Sequence, residues 1–457
     1  MNYPAVSALT PPDLLPDSTF LTSEDIQQLL SQLIETGVSD LHLRGWHPPY
    51  QRNPNGELLL IEEAPVRVIP EPELFRLGYW LCRGTNYIQH LQALEQQFSR
   101  LHYQVQRTES GQFESLEAHS DSFQTWITPE PFDIGVDVVS SEGRTGRFRV
   151  QIFFAESDSP FEAGLNMAFR RILPAVPTHL DLGFCPAASH LISDLVSQKL
   201  TNGLVLVVGA TGSGKSTSVA AMLETLNEKV ALNITTIEDP VEFKFHNKRS
   251  FFRQIGIRRH VPTYAQALNH VLRQDPDIIV IQEIRDAEMA RHALNLAQTN
   301  HLVIATLHGL TDTASALLQF VQMVGGDYLS VANHLQAIVA QQLLPSKNRD
   351  AKRVLVQEVM RPRLNAAIQH LLRSHSADTD AYAGAIGRAN EARSIEVRFV
   401  ESLFTAVSHN EISAGRAFTA TRYEADLLEL FEARSPGNAI SDYIPQYLQQ
   451  RDRAEMA

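Results

Sequence analysis

The sequence predicts an α/β protein in which a parallel sheet is covered by helices on both faces and is preceded by a smaller α+β domain. Three observations lead there. Residues 204–208 (Leu-Val-Leu-Val-Val) form a short continuous apolar run, as a strand buried on both faces does. From about residue 180 such runs alternate with helical patterns, which is the signature of a parallel sheet. Pro174 and Pro177 interrupt the chain just before that alternation and mark a linker.

The strand at 204–208 breaks into Gly209-Ala210-Thr211-Gly212-Ser213-Gly214-Lys215-Ser216-Thr217, which fits the phosphate-loop pattern G-x-x-x-x-G-K-[ST] at every fixed position. Glycines let consecutive backbone N–H groups turn toward one anion. Lys215 is placed to reach the outer phosphates of ATP, and the Ser216 hydroxyl to hold Mg²⁺. A helix is predicted next, because Val219, Met222, Leu223 and Leu226 recur at i, i+3, i+4 and i+7. Its N-terminus adds a favourable dipole for the anion.

Upstream, residues 1–20 hold four prolines among small and polar residues and read as a loose leader. The domain spans residues 21–174. Ile26, Leu29, Leu30, Leu33 and Ile34 share a helix face, and Ser39–Leu43 alternates as a strand does. A turn at Asn53-Pro-Asn-Gly56 leads to a strand over Leu58–Ile61. Residues 83–130 read as an insertion with a helix over Leu91–Phe98. Ile134–Val139 and Arg147–Phe154 pair as strands, and Asn166–Ile172 is a further segment.

Downstream, the strands Ile234–Ile237, Asp277–Ile281 and His301–Thr306 run toward Glu238, Glu283 and His308. In open parallel sheets ligands bind beyond the carboxyl ends of the strands, so these three residues fall on the edge that carries the phosphate loop. Glu283 is the first candidate for orienting the attacking water, and Glu238 the second, either for water or for the metal. His301 and His308 are candidates for sensing the terminal phosphate or the neighbouring acids. Arginines from a neighbouring domain or subunit commonly neutralise charge during phosphoryl transfer. Arg147, Arg149, Arg170 and Arg171 lie just before the linker and are candidates for it, while Arg273 and Arg285 flank the acidic strand.

With 457 residues the chain has room for two or three domains, and 44% hydrophobic content supports a substantial core. A net charge of −13 argues against a broad nucleic-acid surface and disfavours a DNA translocase. Two cysteines, Cys82 and Cys185, cannot make a four-cysteine zinc site. No stretch reaches a membrane-spanning length and no signal peptide is visible, so the expected location is the cytoplasm, with membrane association only through partners.

Taken together, Gly209–Thr217, Thr236-Ile-Glu-Asp-Pro-Val-Glu-Phe243, Leu272-Arg-Gln-Asp-Pro-Asp-Ile-Ile279 with Glu283-Ile-Arg-Asp286, and His301-Leu-Val-Ile-Ala-Thr-Leu-His308 resemble the type II/type IV secretion ATPase superfamily, in its order of Walker A, Asp box, Walker B and His box. The resemblance covers residues 175–345 and extends more weakly to Val38–Leu43 and Arg147–Val150. It implies a PAS-like N-terminal domain, a RecA-like ATPase core over 175–345 and a mostly helical region over 346–457. It further implies an ATP-driven hexameric ring working on an inner-membrane platform protein of a pilus or secretion system.

Within the superfamily the chain looks most like the pilus retraction (PilT-like) branch and its conjugation and Dot/Icm relatives, since assembly and type II secretion members usually carry a four-cysteine subdomain. Asn365-Ala-Ala-Ile-Gln-His-Leu-Leu-Arg373 is similar to the retraction motif A-I-R-N-L-I-R-E, with Gln369 and His370 in place of Arg and Asn and Ser374 in place of Glu. Gln282 stands at the usual Walker B glycine, and Asn300 at the usual glycine before the first His-box histidine. These departures motivate an alternative reading, a nucleotide-binding accessory subunit with little hydrolysis.

Overall fold

The computed structural model describes residues 175–434 apart from 310–311, 349–352 and 389–395, and, ahead of these, the strands and helical segments between residues 25 and 172. The leader read over 1–20 lies outside the described residues. By its contacts the chain forms two compact units.

The first unit comprises residues up to Ala175 together with Asp239–Phe243 and Gly256–Pro262. Its strands are β1 (Asp40–Arg44), β2 (Tyr50–Arg52), β3 (Leu58–Leu60), β6 (Phe132–Val139), β7 (Thr145–Glu156) and β8 (Ala163–Ile172), in the order β3-β2-β1-β8-β7-β6. Each pair is antiparallel. Alternate residues Leu41, Leu43, Ile134, Phe148, Val150, Ile152, Met167 and Phe169 are buried on one face. Helix α1 (Glu71–Leu81) covers that face with Leu74, Phe75, Leu77 and Leu81. The helical residues 28–31 add Leu30 to the same core. Of the helix read over Leu91–Phe98, residues 91 and 92 are described, and both are helical. Within the stretch read as an insertion, β4 (Val105–Arg107) and β5 (Phe113–Ser115) pair as a sheet of their own.

The second unit is built on a seven-stranded sheet. Its strands are β9 (Gly203–Gly209), β10 (Asn233–Glu238), β11 (Phe251–Gly256), β12 (Ile278–Ile284), β13 (Leu302–His308), β14 (Leu335–Leu344) and β15 (Val354–Met360), in the order β11-β10-β12-β13-β9-β14-β15. Strands β10, β12, β13, β9 and β14 are mutually parallel. Every residue from Leu204 to Val208 is at most 1% exposed, so β9 is covered on both faces. One cover is α2 (Pro186–Val196) with α3 (Lys215–Lys229). Val219, Met222, Leu223 and Leu226 are the buried face of α3, as their spacing predicts. The other cover includes α5 (Ala287–Gln298) and α6 (Thr313–Met323), which follow α4 (Tyr264–Val271) and pack on the strands.

The sheet continues past residue 345, because β15 returns antiparallel to β14. Around it come α7 (Tyr328–His334), α8 (Ala366–Arg373), α9 (Thr379–Arg388), α10 (Phe399–Ser408), α11 (Ala414–Thr419) and α12 (Glu424–Arg434). Among the described residues, no helix is long and apolar enough to cross a membrane.

Buried Glu358, on β15, ties this helical region to the sheet. Its carboxylate accepts from the backbone N–H and the hydroxyl of Thr313, both at 2.6 Å, and from the N–H of Phe399 at 3.0 Å. One side chain thus caps the first turns of α6 and α10. Burial pushes its pKa above the usual carboxylate range, although the three donors oppose the shift. A raised folded-state value means that the native protein holds the proton more tightly than the unfolded chain. The stability contributed by protonated Glu358 is therefore present at low pH and lost as pH rises from the ordinary carboxylate value through the raised one. Glu358→Ala leaves three buried donors without their acceptor and is expected to cost about 2–4 kcal/mol, read by urea unfolding. A loss below about 0.5 kcal/mol would remove the capping role.

Candidate active site

The site begins where β9 ends. Gly209, Gly212 and Gly214 have φ of 153°, 77° and 85°. At Gly209 no other residue fits: a Cβ there would lie 2.5 Å from the Gln341 carbonyl oxygen of the adjacent strand and 2.7 Å from Ser213 Oγ. Gln341 in turn donates from Nε2 to the Ser213 carbonyl at 2.7 Å, fixing the loop from β14. Lys215 Nζ curls over the loop and donates to the carbonyls of Gly209 and Ala210, at 2.7 and 3.0 Å. Arg353 Nη1 approaches the Gly212 carbonyl at 3.4 Å.

Helix α3 starts at Lys215 with Gly214 as its N-cap, without a capping side chain and without an acid in the first turn. Its first intrahelical bond is Ser218 N–H to the Gly214 carbonyl, at 2.9 Å. The N–H groups of Lys215, Ser216 and Thr217 precede that bond and so carry the positive end of the dipole. A phosphate group fits this cradle by charge and by donor count. The Ser216 hydroxyl is half-buried on the same turn. Among the described residues, no group of three His, Cys, Asp or Glu makes a metal cage. A Mg²⁺ ion here would take Ser216 Oγ together with phosphate oxygens.

The strand ladder fixes what shares this edge. His308 is in register with Gly209 across β13 and β9, and its Nε2 lies 2.7 Å from Thr211 Oγ1. Glu283 lies near the carboxyl end of β12, the next strand out, beside a register shift that brings Ile284 opposite Leu307. Two strand spacings, about 10 Å, separate β12 from β9. The Glu283 side chain is 30% exposed, and its Oε2 pairs with Arg285 Nε at 3.1 Å. Glu238 closes β10 and is buried. Its Oε1 accepts from Thr236 Oγ1 at 2.6 Å and from Gln254 Nε2 at 3.2 Å. Both carboxylates therefore belong to strand ends on the loop's edge of the sheet.

His301 does not join them. It precedes Leu302, at the amino end of β13, where its carbonyl accepts from Gly203 N–H and its Nδ1 lies 3.0 Å from Thr299 Oγ1. The length of β13, about 20 Å, separates it from His308 within one chain.

The family model for "Type II/IV secretion system protein" matches residues 146–417, which is more than half of the chain. The chain belongs to this family. It is 39% identical over 187 residues to YggR of Escherichia coli, itself uncharacterised, covering 39% of this chain and 55% of YggR. It is 28% identical over 347 residues to the type IV pilus ATPase PilU of Pseudomonas aeruginosa, covering 75% of this chain and 76% of PilU. The crystal structure of the pilus retraction motor PilT with bound ADP superposes with a TM-score of 0.66 at 27% identity, covering 90% of this chain and 99% of that one.

The family's glycine positions take a particular form here. Asn300 has φ 66°, a left-handed conformation that asparagine tolerates better than most side chains. It also accepts from Asn202 Nδ2 at 2.9 Å. The Gln282 carbonyl accepts from the Thr306 hydroxyl of β13, which ties the Glu283 strand to its neighbour. The retraction-like segment forms α8, capped by Asn365, and Gln369 donates to the Ala332 carbonyl at 2.8 Å.

The candidate arginines belong to the first unit. Arg170 is 62% exposed and pairs with Asp40 at 2.9 Å. Arg149 pairs with Asp133 and Glu242. Burial opposes its charge, but these two acids outweigh burial and raise its pKa. Arg147 is buried, with Asp137 as its acidic partner. Sequence reasoning missed Thr236, Gln254 and Gln341, whose roles depend on partners that no local pattern shows.

Proposed function

We propose that this chain is a Mg²⁺-dependent ATPase motor that forms a hexameric ring and drives a type IV pilus or a type IV secretion or conjugation machine. The observation that carries this is the convergence of Lys215, the uncapped start of α3, His308 and Glu283 at one edge of the parallel sheet. In this reading the first unit is the PAS-like domain and the seven-stranded unit is the RecA-like core. Lys215 and the first-turn N–H groups hold the phosphates. Ser216 holds the metal, which neutralises phosphate charge when bound. Glu283 orients the attacking water and Glu238 supports it. His308, bonded to Thr211, senses the loop. Arg170, the most exposed of the candidate arginines, serves the neighbouring subunit's site. The ring works from the cytoplasmic side on an inner-membrane platform protein.

Steady-state phosphate release, measured on purified protein over a range of concentrations alongside sedimentation, tests the reading. Turnover per subunit is expected to rise as hexamers form. Hexamers that bind ADP but release no phosphate would favour the accessory-subunit alternative.

A further inference from the structure

The face of the antiparallel sheet opposite its apolar core carries a charged lattice. Across the β6–β7 ladder, Asp137 stands opposite Arg147 and Gly135 opposite Arg149. Arg147 is 7% exposed and uses its guanidinium in three directions. Nη1 pairs with Asp137 Oδ1 at 2.6 Å, Nη2 donates to the Val241 carbonyl at 2.7 Å, and Nε donates to the Glu242 carbonyl at 2.7 Å. Arg149 adds a second tie: Nη1 reaches Glu242 Oε1 at 3.1 Å, while Nε and Nη2 engage Asp133 at 3.2 and 3.3 Å. The approach needs Gly135, where a Cβ would lie 2.9 Å from Arg147 Nη2 and 3.0 Å from the Val241 oxygen.

The segment that this lattice grips, Asp239–Phe243, belongs to the same compact unit. It begins one peptide bond after Glu238, the last residue of β10. We infer that Arg147 and Arg149 are positioning residues that act within their own chain, clamping Asp239–Phe243, the segment joined to Glu238 by one peptide bond, to the antiparallel sheet.

For Arg147 this takes the place of a cation offered from a neighbouring domain or subunit. Its buried guanidinium, with one carboxylate and two carbonyls on its donors, has no open side for a phosphate. Lysine cannot substitute, because one ammonium cannot meet three acceptors that are spaced for a planar fork. The inference rests on the ATPase reading only where it concerns turnover. The clamp itself can be measured without turnover.

The test is hydrogen exchange by mass spectrometry on the full chain carrying Arg147→Met, which keeps an apolar stem, and separately Glu242→Ala, which keeps Arg147 should the first variant fold poorly. The amides of Asp239, Val241, Glu242 and Phe243 are expected to exchange about tenfold faster or more in Arg147→Met, and by a smaller factor in Glu242→Ala, with the phosphate loop unchanged. For Arg147→Met, kcat for ATP hydrolysis is expected to fall about tenfold with KM within about twofold. Mixing Arg147→Met subunits with Lys215→Ala subunits is expected to restore no turnover. Unchanged exchange at 239–243 in both variants, faster exchange with unchanged kcat, or restored turnover on mixing would each overturn the inference. A wild-type protein without turnover would remove the motor reading, while the exchange arm would still decide the clamp.

Discussion

Lys215→Ala is expected to raise the dissociation constant for ADP and ATP by at least about 100-fold, which is about 2.7 kcal/mol. The side chain contributes the one ammonium in the loop, and its Nζ lies against the Gly209 and Ala210 carbonyls, 2.7 and 3.0 Å away. It is therefore held where phosphate oxygens would gather above the first turn of α3. Removing it leaves the backbone donors of Lys215, Ser216 and Thr217, whose partial charges are weaker than a full ammonium. The fold should survive. Alanine is the best helix former, and position 215 is the first residue of a 15-residue helix whose buried face starts later, at Ser218. A melting temperature within about 2 °C of wild type, together with lost binding of a fluorescent nucleotide, is the expected pair of readings. An affinity unchanged within about threefold would mean that the glycine-rich bend is a structural turn and that nucleotide binds elsewhere.

The phosphate loop was legible because its information is local. An apolar run, glycines at fixed offsets and a 3.6-residue apolar period lie within 23 consecutive residues, from Leu204 to Leu226. The alternating apolar positions of β1, β6 and β7 were legible for the same reason. Strands β14 and β15 were not read. Gln341, Gln357 and Glu358 interrupt their apolar character, and each is buried by a distant bond. Gln341 reaches Ser213, 128 residues away; Gln357 reaches the Cys185 N–H, 172 away; Glu358 reaches Thr313, 45 away. Propensity sees polar residues there, whereas the fold ties each of them by at least one hydrogen bond to a distant segment.

His301 and His308 flank one short strand, and the rule that ligands bind beyond the carboxyl ends of parallel strands already set His308, and not His301, at the end that meets the loop. The parallel pairing of β13 with β9 sets His308 opposite Gly209. For the arginines, alternation along β7 puts Arg147 and Arg149 on the polar face but does not reveal that Asp133, Asp137 and the 239–243 segment cover it.

Glu283→Ala should leave nucleotide affinity within about threefold of wild type and lower kcat by about 100-fold or more, the range a positioned general base supplies. The two candidate acids are held differently, and that difference assigns the larger effect. Glu238 is buried, and its Oε1 accepts from both Thr236 and Gln254, so that oxygen is committed to protein donors. Glu283 is 30% exposed, with Arg285 pairing at Oε2, so water can reach its carboxylate. An acid that orients water must be both anchored and wet, and Glu283 meets both conditions. Glu238→Ala should instead disturb Thr236 and Gln254, lowering kcat by about tenfold together with some loss of stability. Single-turnover and steady-state phosphate release on the two variants separate these outcomes. If Glu283→Ala turned over at the wild-type rate while Glu238→Ala was silent, the water would have to be directed from β10, and the exposed acid of β12 would be a partner of Arg285 and nothing more.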